Sequence, residues 1–354
     1  MKGKCMADIN KKAIILISGG LDSYLAAKLM QEQGVELVGL NFTSIFCTCT
    51  TKEQRAKGCA SQAAKMAREL GIPMRTLPKG MDYFKVVQSP KHGWGKGMNP
   101  CTDCRIYMLN KAKDIMKETG ATFVVTGEVL DQRPMSQTMA RMDLIDRESG
   151  LGGLILRPLC ASHLPPTVPE TEGVVDRSRL LSIRGRSRKV QLALARERGL
   201  SEVPCVSGGC MLADKTFAKR VRDLFEHKKD YDMRDLRLLK LGRHFRIDGG
   251  TKFIVGRNEM ENLELESLAG SDLLFRPQTV PGPSALLDGA DTPRNVYIVA
   301  KTVMRYGDDE GHRGAVVCVR DGGGDEKNHG GKVERVVAAE IDLSWDTELA
   351  RMRI

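Results

Sequence analysis

The stretch Ser18-Gly19-Gly20-Leu21-Asp22-Ser23 has the residue types of a phosphate-binding loop. Adjacent glycines let a backbone approach phosphate closely, and free amides at the start of a following helix would point at its negative charge. Asp22 could hold a divalent cation such as Mg²⁺ between phosphates. Because the Gly-Lys-Ser/Thr of the common NTPase loop is missing, ordinary NTPase chemistry is not indicated. The sequence therefore predicts a phosphate site with a different use.

Four cysteines form a second group with chemical potential. Cys101 and Cys104 stand three residues apart just before a predicted helix, whose dipole would lower a thiol pKa, and Cys205 and Cys210 lie in a glycine turn that would expose a thiolate. All four could bind structural Zn²⁺. Alternatively, Cys101, Cys104 and Cys210 could hold a [4Fe–4S] cluster with one open iron. In a third interpretation Cys104 and Cys210 form a metal-free nucleophile and persulfide pair. The spacing of these cysteines alone does not distinguish the three alternatives.

Alternating strands and helices must position these groups. The apolar patterns predict strands over 13–17, 35–42, 74–77 and 122–126 and helices over 23–33, 53–70 and 105–118. This alternation is typical of an α/β fold with a doubly wound parallel sheet. Ligands bind beyond the carboxyl ends of such strands, so we expect Asn41, Phe42, Thr126 and Gly127 beside the loop.

Composition then divides the chain into three expected parts. A Pro- and Thr-rich stretch over 165–173 is the clearest break and suggests a linker. We expect a domain with the phosphate site over 1–165, a basic helical connector carrying Cys210 over 166–235, and a smaller α+β domain over 236–354. In the last part, short β segments such as 253–255 and 296–299 are separated by glycines.

The connector concentrates positive charge. Its Arg-Gly-Arg-Ser-Arg-Lys run places a basic loop before a predicted helix, an arrangement suited to phosphate, although a solvated helix face explains many of the other charges. The residues expected to contact an RNA backbone are Arg184, Arg186, Arg188 and Lys189. The formal net charge of +10 and a pI near 9.1 also favour a polyanionic partner.

Length and cysteine usage bound the class of protein. A chain of 354 residues is long enough for two or three domains. Nothing in it resembles a signal peptide or a membrane span, so we expect a cytoplasmic protein with no membrane partner. Ten cysteines in such a chain indicate metal-binding or catalytic thiols rather than a disulfide framework.

The Ser-Gly-Gly-x-Asp-Ser pattern, between a predicted strand and a predicted helix, resembles the PP-loop ATP pyrophosphatases. These enzymes use ATP to adenylate a substrate and release pyrophosphate. The resemblance covers the first half of the chain and implies Mg·ATP at Ser18, Gly19, Gly20, Asp22 and Ser23. Asp22 would hold the Mg²⁺ and thereby assist catalysis.

The cysteine segments make the resemblance more specific. Asn99-Pro-Cys-Thr-Asp-Cys104 and Gly208-Gly-Cys210 are similar to the two catalytic cysteine segments of the bacterial tRNA 2-thiouridylases. The stretches 126–132, 136–138 and 157–159 resemble the tRNA 4-thiouridine synthetases. Both families replace a uridine oxygen of tRNA with sulfur. Because cluster-dependent thiolases of the superfamily have a third cysteine, as Cys101 would be, the resemblance favours a [4Fe–4S] cluster over the persulfide pair, with zinc last.

The C-terminal part resembles the RNA-binding NFACT-R domain. The similar residues are Gly256-Arg257-Asn258, Asn262, an Asp-Leu-Leu-Phe stretch ending at Phe275, and a Pro-Gly-Pro-Ser stretch ending at Ser284. Where that family has tryptophan and histidine, this chain has leucine and Arg276. The resemblance implies that Arg257 and Asn258 are RNA-binding candidates.

These observations predict an ATP-dependent tRNA sulfurtransferase with catalytic residues Cys101, Cys104, Cys210 and Asp22, and 4-thiouridine is favoured over 2-thiouridine as its product. The partners expected are tRNA and a sulfur donor, either a cysteine desulfurase persulfide or sulfide, and a homodimer is compatible with this interpretation. The alternatives are a PP-loop ligase or amidotransferase acting on a non-RNA substrate, and a non-catalytic tRNA-binding quality-control protein.

Overall fold

The computed structural model describes residues 10–48, 59–198, 209–278, 280–307, 313–320, 333–341 and 344–354. The chain divides into two compact units, Met1–Asp214 and Lys215–Ile354. The expected connector is shared between them, with 166–214 in the first unit and 215–235 in the second. The functional division of the chain into three parts stays a prediction.

A five-stranded parallel sheet forms the centre of the first unit, which confirms the predicted fold class. Its strands are β1 (Lys12–Leu16), β2 (Glu36–Thr43), β3 (Met74–Pro78), β4 (Phe123–Thr126) and β5 (Ile155–Leu156). Their spatial order is β3-β2-β1-β4-β5. The connection order therefore reverses between β1 and β4, and this reversal marks the point where such sheets bind ligands.

Helices cover both faces of this sheet. They are α1 (Leu21–Gln31), α2 (Cys59–Glu69), α3 (Met81–Gln88), α4 (Cys101–Thr119), α5 (Met139–Glu148), the single turn α6 (Val168–Thr171) and α7 (Lys189–Glu197). Alternate residues of β1 belong to different cores: Ile15 packs with Leu25 of α1, and Ile14 packs with Leu109 of α4. Burial on both faces explains why β1 is a continuous apolar run.

The second unit contains an antiparallel sheet of six strands, which agrees with the expected α+β class. Its strands are β6 (Arg243–Asp248), β7 (Thr251–Val255), β8 (Leu273–Pro277), β9 (Ala285–Asp288), β10 (Arg313–Arg320) and β11 (Val333–Glu340), in the order β11-β10-β8-β9-β7-β6. Its helices are α8 (Lys215–His227), α9 (Met233–Leu238), α10 (Glu259–Ser267), α11 (Pro293–Arg305) and α12 (Trp345–Met352).

Three local expectations were wrong. Residues 296–299 lie in helix α11 rather than in a strand, because the Thr292 side chain caps the helix and Pro293 fits its first turn. Helix α4 starts at Cys101, with Pro100 before it, so Cys101 and Cys104 lie inside the first turn rather than ahead of the helix. The stretch 165–173 contains the capped turn α6, in which Pro169 is buried, and it lies within the first unit.

Helix lengths and compositions also bear on membranes. Among the residues that the structure describes, no helix combines the length and the apolar character needed to cross a bilayer.

Candidate active site

The Ser18–Ser23 loop connects β1 to α1 at the carboxyl end of the sheet. Gly19 has φ of +78°, a left-handed conformation that glycine adopts without strain. The Ser23 hydroxyl donates to the Gly20 carbonyl at 2.8 Å, and the Ser18 hydroxyl accepts from the Gly20 amide at 3.3 Å. The residue at the N-cap of α1 is Gly20, and within the part of the chain that the structure describes this position makes no side-chain capping bond. The loop therefore presents backbone donors at a helix N-terminus, as an anion site requires.

Buried acceptors surround this loop without hydrogen-bond partners among the described residues. They are Oδ1 of Asp22, Oδ1 of Asn41 and Oε1 of Gln137. The other oxygen of Asp22 accepts from Gln132 at 3.0 Å, and Nδ2 of Asn41 donates to the Ile17 carbonyl at 2.7 Å. Leaving a buried acceptor unpaired is costly. The free oxygen of Asp22 is thus suited to a cation, and the amide oxygens are suited to hydrogen-bond donors of a ligand.

Gly127 follows β4 and touches the loop backbone. A Cβ on Gly127 would lie 2.5 Å from the carbonyl carbon of Asp22 and 2.6 Å from the Ser23 amide nitrogen. These neighbours are backbone atoms at the first turn of α1, and they cannot move independently of the helix. The glycine therefore permits β4 and the phosphate loop to pack together.

We expect Gly127→Ala to lower the free energy of unfolding by about 1–3 kcal/mol, because the added methyl group overpacks this contact. ATP binding should weaken as well, since the loop must shift. Thermal melting of the variant and nucleotide titration measure the two effects. A suitable control is Gly152→Ala, because a Cβ there would come no closer than 4.0 Å to its nearest neighbour, the Asp146 carbonyl oxygen. Equal melting temperatures for both variants would contradict the packing argument.

The loop opens onto a cleft of about 290 Å³. Three of its walls come from the carboxyl ends of β1, β2 and β4, where Asn41, Phe42, Thr126 and Gly127 were expected and are found. Cys101, Cys104 and Cys210 line the same cleft. Cys210 reaches it because the Met98 amide donates to the Leu212 carbonyl at 2.8 Å, which holds the 209–213 segment beside the start of α4. The phosphate loop and the three thiols thus share one space.

The Cys104 thiolate is favoured by a neighbour, Lys79, that the sequence analysis did not single out. Burial by itself would raise the pKa of Cys104, but the Lys79 ammonium 2.9 Å from its Sγ, with Tyr83 and Arg105, brings the pKa below the ordinary thiol value. Lys79 Nζ also lies 4.6 Å from the centre of the Tyr83 ring. Because Lys79 directly follows β3, the rule that placed Asn41 and Thr126 at the cleft could have found it.

The other two thiols are held protonated. Burial, and to a lesser extent the charge of Cys104, raises the pKa of Cys210 to about 12. The same two causes, in the same order, raise the pKa of Cys101, whose Sγ donates to the Asn99 side chain at 3.1 Å. Cys104 is therefore the most acidic of these three thiols, and its thiolate is the one that its surroundings favour.

We expect Lys79→Met to shift the alkylation profile of Cys104 to higher pH, because loss of the ammonium destabilises the thiolate. The rate of iodoacetamide modification at Cys104 would be followed by peptide mass spectrometry between pH 5 and pH 10, a range of about 5 units around thiol pKa values, in metal-free protein. Lys85→Met, which changes an exposed lysine of α3, should leave the profile in place. An unshifted profile in Lys79→Met would refute the assignment.

A buried network of ion pairs borders the cleft. Glu128, which is 4% exposed, pairs with Nε of Arg157 at 3.0 Å and with Nε of Arg105 at 3.2 Å. Arg157 is 3% exposed and also forms a two-pronged pair with Asp146, at 2.6 and 2.8 Å. Although burial opposes ionisation, Arg105 and Arg157 lower the pKa of Glu128 overall. The network connects the end of β4 to the cysteine-bearing helix α4.

The basic residues expected to bind RNA have different surroundings. Arg188 lines the cleft, whereas Arg186 and Lys189 are exposed. Arg184 is exposed too, and its Nε donates to Asp131 at 2.7 Å. The run forms a loop that leads into the first turn of α7, as the sequence predicted. RNA contact by these residues stays a prediction. Cys49 and Cys205 lie outside the described residues.

The first unit matches a known family model. Residues 9–163 match the family described as thiamine biosynthesis protein (ThiI). These residues are therefore similar to the ThiI family. The ThiI match contains the phosphate loop, Gly127, Cys101 and Cys104, and it ends before Cys210.

Curated relatives match about a third of this chain. A tRNA-specific 2-thiouridylase MnmA from Clostridium perfringens is 35% identical over 136 residues, which cover 33% of this chain and 35% of that protein. A probable tRNA sulfurtransferase from Methanosarcina mazei is 33% identical over 132 residues, which cover 37% of this chain and 31% of the relative. The chain thus spans about a third of the length of these curated relatives.

Among solved structures, a 4-thiouridine synthetase–RNA complex with bound ATP shares 20% sequence identity with this chain. The comparison covers 65% of this chain and 52% of the other, with a TM-score of 0.35.

The second unit has its own match. Residues 242–345 match the NFACT protein RNA binding domain. The motif residues that resemble this family make structural contacts: Asn258 caps α10 by accepting from the Glu261 amide at 3.0 Å, and Arg257 pairs with Glu261. Asn262 accepts from the Ser284 amide at 3.1 Å. The motif thus orders the turn between β7 and α10, and RNA contact by Arg257 and Asn258 stays a prediction.

Proposed function

We propose that this chain is an ATP-dependent tRNA sulfurtransferase, which adenylates a uridine carbonyl oxygen and replaces it with sulfur. The observation that carries the proposal is the shared cleft, where the Ser18–Ser23 loop and the thiols of Cys101, Cys104 and Cys210 open onto one space. Activation by ATP and delivery of sulfur can then occur on one bound uridine. The ThiI match and the names of the curated relatives support this proposal.

The proposed reaction has two chemical stages. The uridine carbonyl oxygen attacks the α-phosphorus of ATP and expels pyrophosphate. A sulfur nucleophile then adds to the activated carbon, and AMP leaves with the former carbonyl oxygen. Activation is needed because oxide is a poor leaving group and AMP is a good one. The backbone amides at the start of α1 would hold the phosphates.

Asp22 would hold Mg²⁺. Its Oδ1 is buried and has no hydrogen-bond partner among the described residues, and a carboxylate oxygen is a preferred ligand of this ion. When bound, Mg²⁺ would offset the charge of the ATP phosphates. Asp22 suits this ion because its unpaired oxygen lies at the first turn of α1, next to the phosphate loop.

Cys101, Cys104 and Cys210 would hold a [4Fe–4S] cluster. The donor set fits, because three thiols border one cleft and Cys101 and Cys104 lie one helical turn apart on α4. When bound, the cluster would supply an open iron position for hydrosulfide. Within the described ranges, no group of three or more His, Cys, Asp or Glu side chains is arranged to hold a single metal ion. The zinc alternative also needs Cys205, which lies outside those ranges.

The metal-free alternative has a specific observation in its favour. Lys79 favours the Cys104 thiolate, whereas burial raises the pKa of Cys210 to about 12, so Cys104 is the more acidic of the two thiols. A nucleophile and a sulfur-carrying partner would need such a difference. Under either alternative Cys104 and Cys210 are required. A cluster would take sulfide as the sulfur donor, whereas the metal-free pair would take the outer sulfur of a cysteine desulfurase persulfide, which needs no further oxidant.

The substrate is proposed to be tRNA, bound through the NFACT domain and through Arg184, Arg186, Arg188 and Lys189. We favour 4-thiouridine as the product because stretches within the ThiI match, 126–132 and 136–138, resemble the 4-thiouridine synthetases.

The proposal predicts that full-length protein releases AMP and pyrophosphate from Mg·ATP only when unmodified tRNA and sulfide are present. Asp22→Asn should lower this AMP release by at least about 10²-fold, because an electrostatic contact to the phosphates is lost. Asp143→Asn, which changes an exposed carboxylate of α5, serves as the control and should be as active as wild type. AMP release that needs no tRNA would instead support a ligase or amidotransferase with a non-RNA substrate.

A further inference from the structure

Cys47 faces Cys210 across a short antiparallel bridge at the edge of the cleft. Two backbone hydrogen bonds flank the pair: the Thr48 amide donates to the Gly209 carbonyl at 3.2 Å, and the Met211 amide donates to the Phe46 carbonyl at 2.8 Å. Cys47 and Cys210 exchange no backbone bond with each other. They therefore form the narrow, non-hydrogen-bonded type of antiparallel pair.

This pairing places two thiols in disulfide range. Cα atoms of a narrow pair are about 4.5 Å apart, with both side chains on the same face. Disulfides require Cα atoms within about 4.4–6.8 Å. Both cysteines are free thiols, and both line the cleft. Cys47 has no part in the proposed reaction.

We propose that Cys47 and Cys210 form a reversible disulfide when the protein meets a low-molecular-weight disulfide. One thiolate of the pair attacks this oxidant, which forms a mixed disulfide and releases one thiol. The second cysteine displaces the remaining half, so that the Cys47–Cys210 bond forms and a second thiol is released. The two protein thiols lose two electrons and two protons in total, and the oxidant gains them. A dithiol reductant reverses the exchange.

The consequence for catalysis rests on the proposed function. Cys210 bonded to Cys47 can neither ligate iron nor carry sulfur, so the disulfide inactivates the sulfur centre under both alternatives. The pair thus couples sulfur transfer to the thiol redox state of the surroundings, through two segments that the bridge already joins.

Peptide mapping tests the bond without reference to catalysis. Full-length protein is incubated anaerobically with excess oxidised glutathione, alkylated, digested and examined by tandem mass spectrometry. We expect a peptide pair joined through Cys47 and Cys210, lighter by two hydrogens than the sum of its members. The same cross-link should appear in Cys49→Ser and Cys104→Ser. A cross-link of Cys210 to Cys104, or only glutathione adducts on Cys47 and Cys210, would overturn the proposal.

Activity measurements then test the consequence. Oxidised wild-type protein should lose tRNA thiolation and regain it after treatment with dithiothreitol, whereas Cys47→Ser should resist the oxidant. Loss of activity in oxidised Cys47→Ser equal to that in wild type would contradict this regulatory role. If neither wild type nor Cys47→Ser thiolates tRNA while the Cys47–Cys210 cross-link still forms in wild type, the proposed function is wrong and the disulfide is confirmed.

Discussion

Full-length protein with alanine in place of Cys104 should lose tRNA thiolation by more than about 10⁴-fold, a loss typical of removing a nucleophile. Cys104 borders the cleft that the phosphate loop also lines, and Lys79 stabilises it as a thiolate. Both alternatives for the sulfur centre need it, as a cluster ligand or as the nucleophile. Binding of tRNA should persist, because alanine removes no charge from the basic loop or from residues 242–345, which match the NFACT protein RNA binding domain. Nucleoside analysis and a filter-binding assay measure the two properties.

Matched cysteine variants sharpen this experiment. Cys210→Ala should show the same loss, since Cys210 lines the same cleft. Cys160→Ala is the control, because Cys160 is fully buried behind Glu128 and is not part of the cleft lining. Normal thiolation by Cys104→Ala or Cys210→Ala would show that sulfur reaches the uridine by another route.

Arg157→Met should lower the free energy of unfolding by about 3–5 kcal/mol, the range measured when one partner of a buried ion pair is removed. The substitution would leave the buried carboxylate of Glu128 with Arg105 alone, and Asp146 would lose its two-pronged pair. Chemical denaturation at neutral pH measures the loss. Arg147→Met changes an exposed arginine on the same helix as Asp146 and should cost less than about 0.5 kcal/mol.

The same network predicts a pH dependence. Arg105 and Arg157 together overcome the effect of burial and lower the folded-state pKa of Glu128, so its contribution to stability is complete above the unfolded-state pKa of about 4.3. This contribution is lost as the pH falls through the lowered value. The difference in stability between wild type and Arg157→Met should therefore narrow in acid. A difference that stays constant from neutral to acidic pH would contradict the charged state of Glu128.

The sequence was informative where local patterns carry the structure. Strands buried on both faces are continuous apolar runs, so four of the five strands of the parallel sheet could be anticipated, and with them the meeting of Asn41 and Thr126 beside the loop. The two-residue strand β5 was not predicted. The i, i+3 spacing of Cys101 and Cys104 suits one helix face, but the sequence analysis placed both cysteines ahead of the helix rather than in its first turn.

Contacts between distant residues could not be predicted in this way. Lys79 meets Cys104 from 25 residues away, and Glu128 meets Arg157 from 29 residues away, and no periodicity encodes either contact. The strand predicted over 296–299 is wrong because β-branched side chains also suit a buried helix, and the capping residue Thr292 was the better signal. The sequence analysis treated Asn258 as part of the family motif and did not predict its role as a helix cap.

Mass spectrometry of tRNA nucleosides tests the central claim most directly. Unmodified tRNA is incubated anaerobically with full-length protein, Mg·ATP and sulfide, then digested to nucleosides and compared with reactions that lack ATP or contain Asp22→Asn. We predict thiouridine, with 4-thiouridine as the isomer, formed together with an equal amount of AMP and only in the complete wild-type reaction. Release of AMP without any thiouridine, or tRNA binding without either product, would contradict the account.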